Sequence, residues 1–98
     1  MKFSLELHPL AEQELWDAVD YYDAQKGNLG KEFAKELQEV MKLVRQTPLI
    51  FQKVDRRRRK AVLQKFPFVI VYEVIDKQIN VLAIFHTKRN PDIWKERL

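Results

Sequence analysis

The chain has few of the residue types that build reactive protein sites. It contains no cysteine, two histidines (His8 and His86) and two glycines among 98 residues. Without thiols it has no disulfide framework, no cysteine nucleophile and no thiolate metal site. Two histidines are also too few for a histidine-rich metal site, so we expect no metal and no cofactor. The missing cysteine fits a reducing compartment, and we expect a cytoplasmic protein.

Long apolar runs are missing as well. No run approaches the roughly 18 apolar residues of a membrane-spanning helix, so no membrane partner is expected. The first residues alternate between polar and apolar, unlike a signal peptide. A chain of 98 residues fits one domain with one core, and we expect residues 1–98 to form it. The net charge of +4 moderately favours an anionic partner.

Two stretches carry the periodicity of amphipathic helices. Apolar side chains recur at three- and four-residue steps over residues 9–25, and again after Gly30 to about Thr47. Pro9 suits the first position of the first helix, and Pro48 ends the second. Because the connection at residues 27–30 is short, the two are predicted to form a helical hairpin.

The remaining pattern is typical of strands. Residues 3–7 alternate between apolar and polar, and β-rich stretches follow at about 57–64, 68–75 and 79–86. Residues 49–55 are predicted to be a loop, and residues 91–98 to form one or two helical turns. The predicted fold is α+β with the order β-α-α-β-β-β. It has two layers, with the helical hairpin packed on one face of a mainly antiparallel four-stranded sheet.

The strands at 68–75 and 79–86 are apolar at nearly every position instead of alternating. A two-layer domain covers only one face of its sheet, so such strands need a second cover. The sequence leaves three candidates for that cover: a partner protein, a second copy of the chain, or the C-terminal tail.

A basic run, Asp55-Arg56-Arg57-Arg58-Arg59-Lys60, leads into the second predicted strand. Side chains alternate along a strand, so Arg57 and Arg59 should share one face and Arg58 and Lys60 the other. At least one pair should project over the open face of the sheet. Arginine binds phosphate and carboxylate in bidentate fashion, so the run predicts a phosphate-docking or acidic-partner site. The alternative is a solvated charge run. Glu73 is a candidate ion-pair partner for an arginine of this strand.

Other candidate residues lie at the ends of the predicted sheet. His86 has a suitable pKa for acid–base chemistry, although a histidine at a strand end is more often structural. Tyr72 is a candidate for orienting a substrate or a core residue. Trp94 is a candidate for base stacking, but we favour a role in pinning the tail to the core.

A second basic patch is expected from Lys88, Arg89 and Arg97. No nucleophile–base set or glycine-rich phosphate loop is present, so side-chain chemistry alone does not indicate a catalyst.

Taken together, these segments resemble toxins of the RelE/ParE superfamily of bacterial type II toxin–antitoxin modules. The resemblance covers nearly the whole chain, and its order and spacing are specific. The residues that carry it are Ala11-Glu12-Gln13-Glu14-Leu15, Tyr21-Tyr22, Gly30, Phe33, Leu37, Pro48, Leu63 to Tyr72, Val81 to His86, and Arg89 to Trp94. The resemblance implies the fold already predicted and a cognate antitoxin that folds on binding. An oligomer is compatible with the apolar sheet face described above.

Two branches of the superfamily imply different targets. RelE-like members resemble ribosome-dependent mRNA endonucleases, and ParE-like members resemble non-nuclease poisons of DNA gyrase. The chain matches the ribonuclease branch only in part: Lys60 and Arg89 are retained, and His86 stands where some members have histidine. Val62 and Val69 replace a lysine and an arginine, and Lys95 replaces a tyrosine.

We therefore favour a ParE-like toxin acting on DNA gyrase or a related target. One alternative is an mRNA endonuclease, with a catalytic set of His86, Arg89, Lys60 and Tyr72. The other is a non-toxic member that only binds an antitoxin. Target or antitoxin binding is assigned to Arg57, Arg58, Arg59, Lys88, Trp94 and Arg97.

Overall fold

The computed structural model describes residues 3–97, so residues 1, 2 and 98 of the predicted domain lie outside the described part. Two helices lie over one face of a five-stranded sheet. The elements are β1 (Ser4–Leu7), α1 (Pro9–Gln25), α2 (Leu29–Gln46), β2 (Gln52–Lys53), β3 (Arg58–Val62), β4 (Phe68–Ile75), β5 (Gln78–His86) and a 3-10 helix (Ile93–Arg97). None of the helices in this range combines the length and hydrophobicity needed to cross a bilayer.

The sheet order is β1-β5-β4-β3-β2, with β1 parallel to β5 and the other pairs antiparallel. The predicted α+β two-layer fold is confirmed, but the sheet has five strands and not the four predicted. The additional strand is β2, which pairs Gln52 with Lys60 and Lys53 with Arg59. Two exposed polar residues have no alternation that would distinguish a strand from a loop.

The helical hairpin begins and ends close to the predicted positions. Pro9 is the first residue of α1, and the His8 side chain caps the helix by accepting from the Leu10 N–H at 3.1 Å. Asn28 takes a left-handed φ of 71° in the connection, and α2 starts one residue before Gly30. Gly30 donates its N–H to Asp23 Oδ1 at 2.9 Å. The two helices therefore meet closely at this glycine.

The main core lies between the hairpin and the sheet. Phe33, Leu37 and Val44 of α2 are fully buried against side chains of β4 and β5. An aromatic cluster of Tyr22, Phe33, Phe66 and Phe68 closes one end of this core, with ring centroids 4.8–6.1 Å apart.

A β-bulge in β5 explains part of its continuous apolar sequence. Val71 pairs with Ala83 and Tyr72 pairs with Val81, so Leu82 has no partner in β4. The extra residue reverses the alternation. Val81 faces the helices before the bulge and Ile84 faces them after it, whereas Leu82 and Ala83 face the opposite side.

The C-terminal tail covers the second face of the sheet. Trp94 is 3% exposed and packs with Ile93 against side chains of β4 and β5. Those side chains are Val69, Val71, Leu82, Ala83 and Phe85. Of the three covers that the sequence left open, the tail is the one seen, and Trp94 pins it as we favoured.

The hairpin contact predicts effects of different size for alanine substitutions at the two glycines. A methyl group at Gly30 would collide with the Val19 carbonyl oxygen and the Asp23 carboxylate, whereas at Gly27 it would meet no atom within 4 Å. We expect Gly30→Ala to lower the free energy of unfolding by about 1–3 kcal/mol through overpacking. Gly27→Ala should change it by less than about 1 kcal/mol. Urea unfolding followed by circular dichroism measures both, and equal effects would contradict the close contact.

Candidate functional site

A cavity of about 410 Å³ opens between the sheet and the tail. Its floor is formed by four apolar side chains, and Trp94 forms one wall. The floor residues are Val62, Val69, Val71 and Phe85. Two cations, Lys60 and Lys95, also line it, and its volume lies in the range of roughly 300–1,000 Å³ seen for ligand pockets. We call this space the tail cavity.

The tail cavity holds little unneutralised charge. Lys95 Nζ lies 3.3 Å from Asp92 Oδ1. Asp55 is already bound: it accepts the N–H groups of Arg57 and Arg58 at 2.9 Å each and lies 3.2 Å from the Arg58 guanidinium. Burial acts to raise the pKa of Asp55, but these hydrogen bonds and the Arg58 charge together hold it below its usual value. Within residues 3–97, Lys60 is the cavity cation that makes no ion pair.

Arg58 lies on the same face as Lys60 and serves as a junction between strands and tail. Its Nη2 atom is 3.3 Å from Glu73 Oε1 on β4, which confirms the predicted pairing of Glu73 with an arginine of this strand. Its guanidinium also lies over the Trp94 ring, 5.7 Å from the centroid. Arg58 therefore holds β3, β4 and the tail together.

Arg97 is engaged in a second junction. Its guanidinium binds the Glu14 carboxylate through two hydrogen bonds of 2.7 and 3.0 Å and donates a third, of 2.9 Å, to the Leu82 carbonyl oxygen. Glu14 also accepts the Ile84 N–H at 3.0 Å. The Arg97 and Glu14 side chains are only 8% and 12% exposed. This pair ties the tail to α1 and β5.

His86 and Arg89 lie on the other side of the sheet from Lys60. His86 pairs with Phe68 and stacks edge-on against its ring, with centroids 5.5 Å apart, and its Nδ1 accepts the Lys88 N–H at 3.0 Å. Arg89 shares a small cleft with His86 next to α1, and its Nη1 atom is 4.0 Å from the Glu14 carboxylate. Lys88 is exposed beside them.

Tyr72 is remote from both groups. It is fully buried beneath the helices, and its hydroxyl donates to the Pro48 carbonyl oxygen at 2.6 Å. Burial raises the pKa of Tyr72 to about 12. The structure thus places the four residues of the proposed nuclease set in three separate environments.

Arg57 and Arg59 lie in a further region, on the helical face of the sheet. They line a cleft together with Lys53 and Arg56. Arg59 Nη1 also donates to the Phe51 carbonyl oxygen at 2.8 Å. The predicted separation of Arg57 and Arg59 from Arg58 and Lys60 is therefore observed.

Glu14 and Asp55 organise these sites, but neither stood out in the sequence. Glu14 is one of several acidic residues in α1, which makes it resemble a member of the solvated face. Its spacing from Ala11 and Ala18, which are both buried, would have placed it on the inward face. A carboxylate on an apolar helix face needs a partner. This rule could have identified Glu14 as a structural residue from the sequence.

Comparison with known proteins agrees with this architecture. A family model described as ParE toxin of type II toxin–antitoxin system, parDE, matches residues 5–91. The chain is 28% identical to Toxin ParE2 of Mycobacterium tuberculosis over 89 residues, which cover 90% of this chain and 85% of that protein. It resembles the chromosomal ParDE system from P. aeruginosa at a TM-score of 0.77 and 21% identity, over 87% of this chain and 96% of that one.

A further structural match is a mutant of E. coli toxin RelE in complex with antitoxin RelBc peptide. Its TM-score is 0.66 at 19% identity, and the match covers 100% of this chain and 96% of that one. At such identities the structures show a common fold. Fold and sequence together define a toxin of the RelE/ParE superfamily. The chain belongs to the ParE toxin family of type II toxin–antitoxin systems.

The Glu14–Arg97 junction predicts a large effect from one tail substitution. Arg97→Ala would leave the Glu14 carboxylate and the Leu82 carbonyl without their partner, so we expect a loss of about 3 kcal/mol in unfolding free energy. Lys95→Ala is the matched control, because the Lys95 and Asp92 side chains are 57% and 59% exposed. Its loss should stay below about 1 kcal/mol. Urea denaturation compares the two, and similar losses would show that the junction contributes little.

The buried phenol predicts a loss of stability at high pH. The pKa of Tyr72 is about 12 in the folded chain against a usual value of 10.0. As pH rises from about 10 to 12, the unfolded chain loses this proton first, so stability present below pH 10 declines across that window. A tyrosinate absorbance titration should show a late phase that is absent in Tyr72→Phe. Alkaline unfolding of the variant should also be less steep, and an unchanged titration would contradict the assignment.

Proposed function

We propose that this chain is a toxin that acts by binding its target and does not cleave RNA. Its target is DNA gyrase or a related DNA-linked enzyme, and a cognate antitoxin neutralises it. The observation that carries the proposal is the separation of Lys60 from His86 and Arg89. Lys60 opens into the tail cavity, whereas His86 and Arg89 share a cleft on the helical side of the sheet.

This separation works against a single phosphate-cleaving centre. An acid or base must come within about 3 Å of the reacting atoms, and charge stabilisers must surround the same phosphate. A phosphate group beside Lys60 would have the sheet between it and the His86 ring. Tyr72, the fourth member of the nuclease set, is fully buried and bound to Pro48.

The floor of the tail cavity also favours binding over catalysis. Val62 and Val69 stand where the ribonuclease branch is expected to carry cations, and both line the floor. An apolar floor offers no hydrogen bonds to a phosphate and makes its desolvation costly. A partner side chain with an apolar body suits this cavity better.

An antitoxin partner is supported by the family and by the RelE mutant solved with an antitoxin peptide. The residues proposed to bind a partner fall into two groups. Arg58, Trp94 and Arg97 are held by contacts within the chain, so they act by shaping the surface. Arg57 and Lys88 are exposed, and the half-buried Arg59 lines a cleft while donating to the Phe51 carbonyl oxygen, so we assign direct partner contacts to these three.

Expression of the chain alone should arrest growth, induce the DNA-damage response and leave cellular mRNA intact. The purified chain should inhibit supercoiling by DNA gyrase, because the proposal places its action on that enzyme. His86→Ala should remain toxic, since the proposal gives His86 no catalytic role. Co-expression of the antitoxin from the same operon provides the control for specificity.

Two outcomes would contradict this function. Codon-phased mRNA cuts in a translating extract, lost in His86→Ala, would support the endonuclease. Normal growth on induction of a soluble, folded chain would instead support a non-toxic member that only binds an antitoxin.

A further inference from the structure

Four cations gather in a cleft at one end of the sheet, on the face that carries the helices. Lys53, Arg56, Arg57 and Arg59 line it, together with the aliphatic side chains of Leu49 and Ile75. Its volume is about 310 Å³, and no carboxylate of the described residues lines it. We call it the basic cleft.

Two carboxylates near the basic cleft, one in the basic run and one on β4, are engaged elsewhere. Asp55 binds the Arg57 and Arg58 N–H groups and the Arg58 guanidinium. Glu73 binds Arg58 from the opposite face of the sheet. These carboxylates therefore neutralise Arg58 on one face, whereas Arg56, Arg57 and Arg59 make no ion pair with a carboxylate of the described residues.

The pairing of β2 with β3 concentrates this charge further. Lys53 lies directly opposite Arg59, and residues paired in this way project from the same face. Like charges in that position repel each other. Arg59 is also held in place by its hydrogen bond to the Phe51 carbonyl oxygen. An anionic group bound between these side chains would relieve the repulsion without first having to order Arg59.

The apolar part of the basic cleft decides between kinds of anion. Leu49 and Ile75 are 61% and 53% exposed, and Ile50 beside Leu49 is 76% exposed. Single-stranded nucleic acid is usually held by aromatic side chains that stack on bases, and the lining of this cleft has none. Phosphates of a duplex would neutralise the arginines but leave the aliphatic side chains uncovered. An amphipathic helix with acidic flanks would both neutralise the arginines and cover the aliphatic side chains.

We infer that the basic cleft docks an acidic, amphipathic segment of a partner protein. Its carboxylates pair with Arg56, Arg57 and Arg59, and its aliphatic side chains cover Leu49 and Ile75. The inference deepens the proposed function, because it rests on a toxin that works through protein partners. It can be tested by binding alone, without any toxicity.

The test uses the full chain and three fluorescent 18-residue peptides. One has leucine at helical i, i+3, i+4 and i+7 spacing among glutamates. The second has the same composition in scrambled order, and the third replaces leucine with glutamine. We expect the first to bind most tightly by fluorescence anisotropy. Arg56→Gln with Arg57→Gln should weaken it by at least about tenfold at low salt and flatten its salt dependence.

Two further variants separate the contributions of apolar contact, of the arginines and of overall charge to the affinity. Leu49→Ser with Ile75→Ser should weaken the first peptide while leaving the salt dependence unchanged, because those side chains carry no charge. Lys35→Gln with Lys65→Gln removes two exposed cations from a different cleft and should leave affinity near that of the parent. Circular dichroism melting confirms that each variant is folded.

Three results would overturn the inference. Equal losses of affinity in the arginine and lysine double variants would show that net charge, and not the basic cleft, determines binding. Equal affinity for all three peptides would show that an apolar helix face contributes nothing to binding. Tighter binding of a DNA duplex, sensitive to Arg56 and Arg57 but not to Leu49 and Ile75, would assign the cleft to nucleic acid. None of these measurements depends on growth arrest, so the proposed function can fail separately.

Discussion

The incomplete edge of β5 is the constraint on which much of this structure depends. β1 pairs with Gln78–Val81 only, which leaves the second half of β5 without a strand on that side in the described chain. Buried backbone groups need partners, and two side chains provide them here. Glu14 accepts the Ile84 N–H, and Arg97 donates to the Leu82 carbonyl oxygen. Because Glu14 and Arg97 also bind each other, the sheet edge, α1 and the tail form one unit.

The position of the tail follows from that edge and in turn shapes the candidate site. Once Arg97 is fixed beside Leu82, Trp94 lies over the second face of the sheet, where Arg58 stacks on it. The tail covers part of that face and leaves the tail cavity between itself and β3. The apolar strands therefore need no partner to be buried along most of their length. What remains open is a small site with an apolar floor.

The sequence predicted the elements whose periodicity is regular. The bounds of α1 and β4 agree with those expected, and the alternation of Arg57 and Arg59 against Arg58 and Lys60 is observed. Pairing of Glu73 with an arginine of β3 was predicted because Glu73 was the carboxylate within the predicted antiparallel strands, and it is observed. These features depend on local geometry, which the order of side chains reports directly.

Other features depend on contacts between distant parts of the chain. β2 has two residues and no pattern, so it was predicted as loop. The bulge at Leu82 was hidden because both faces of β5 are apolar. The hydrogen bond of Tyr72 to Pro48 and the location of the candidate nuclease residues required the register of the sheet. In particular, a one-residue bulge determines which face His86 occupies.

The register of the sheet also brings together three positions at which this chain differs from the ribonuclease branch. Val62, Val69 and Lys95 are separate in sequence, yet all three line the tail cavity. They are the positions where the resemblance to the ribonuclease branch would place a lysine, an arginine and a tyrosine. Because these positions meet in one cavity, they determine its chemistry together: two aliphatic side chains lie beside Lys60 where that resemblance would place two cations. Meanwhile the basic cleft keeps its cations on the opposite face, where they are exposed to a partner. Positive charge is thus concentrated in the exposed basic cleft, whereas the tail cavity combines Lys60 and the paired Lys95 with an apolar floor.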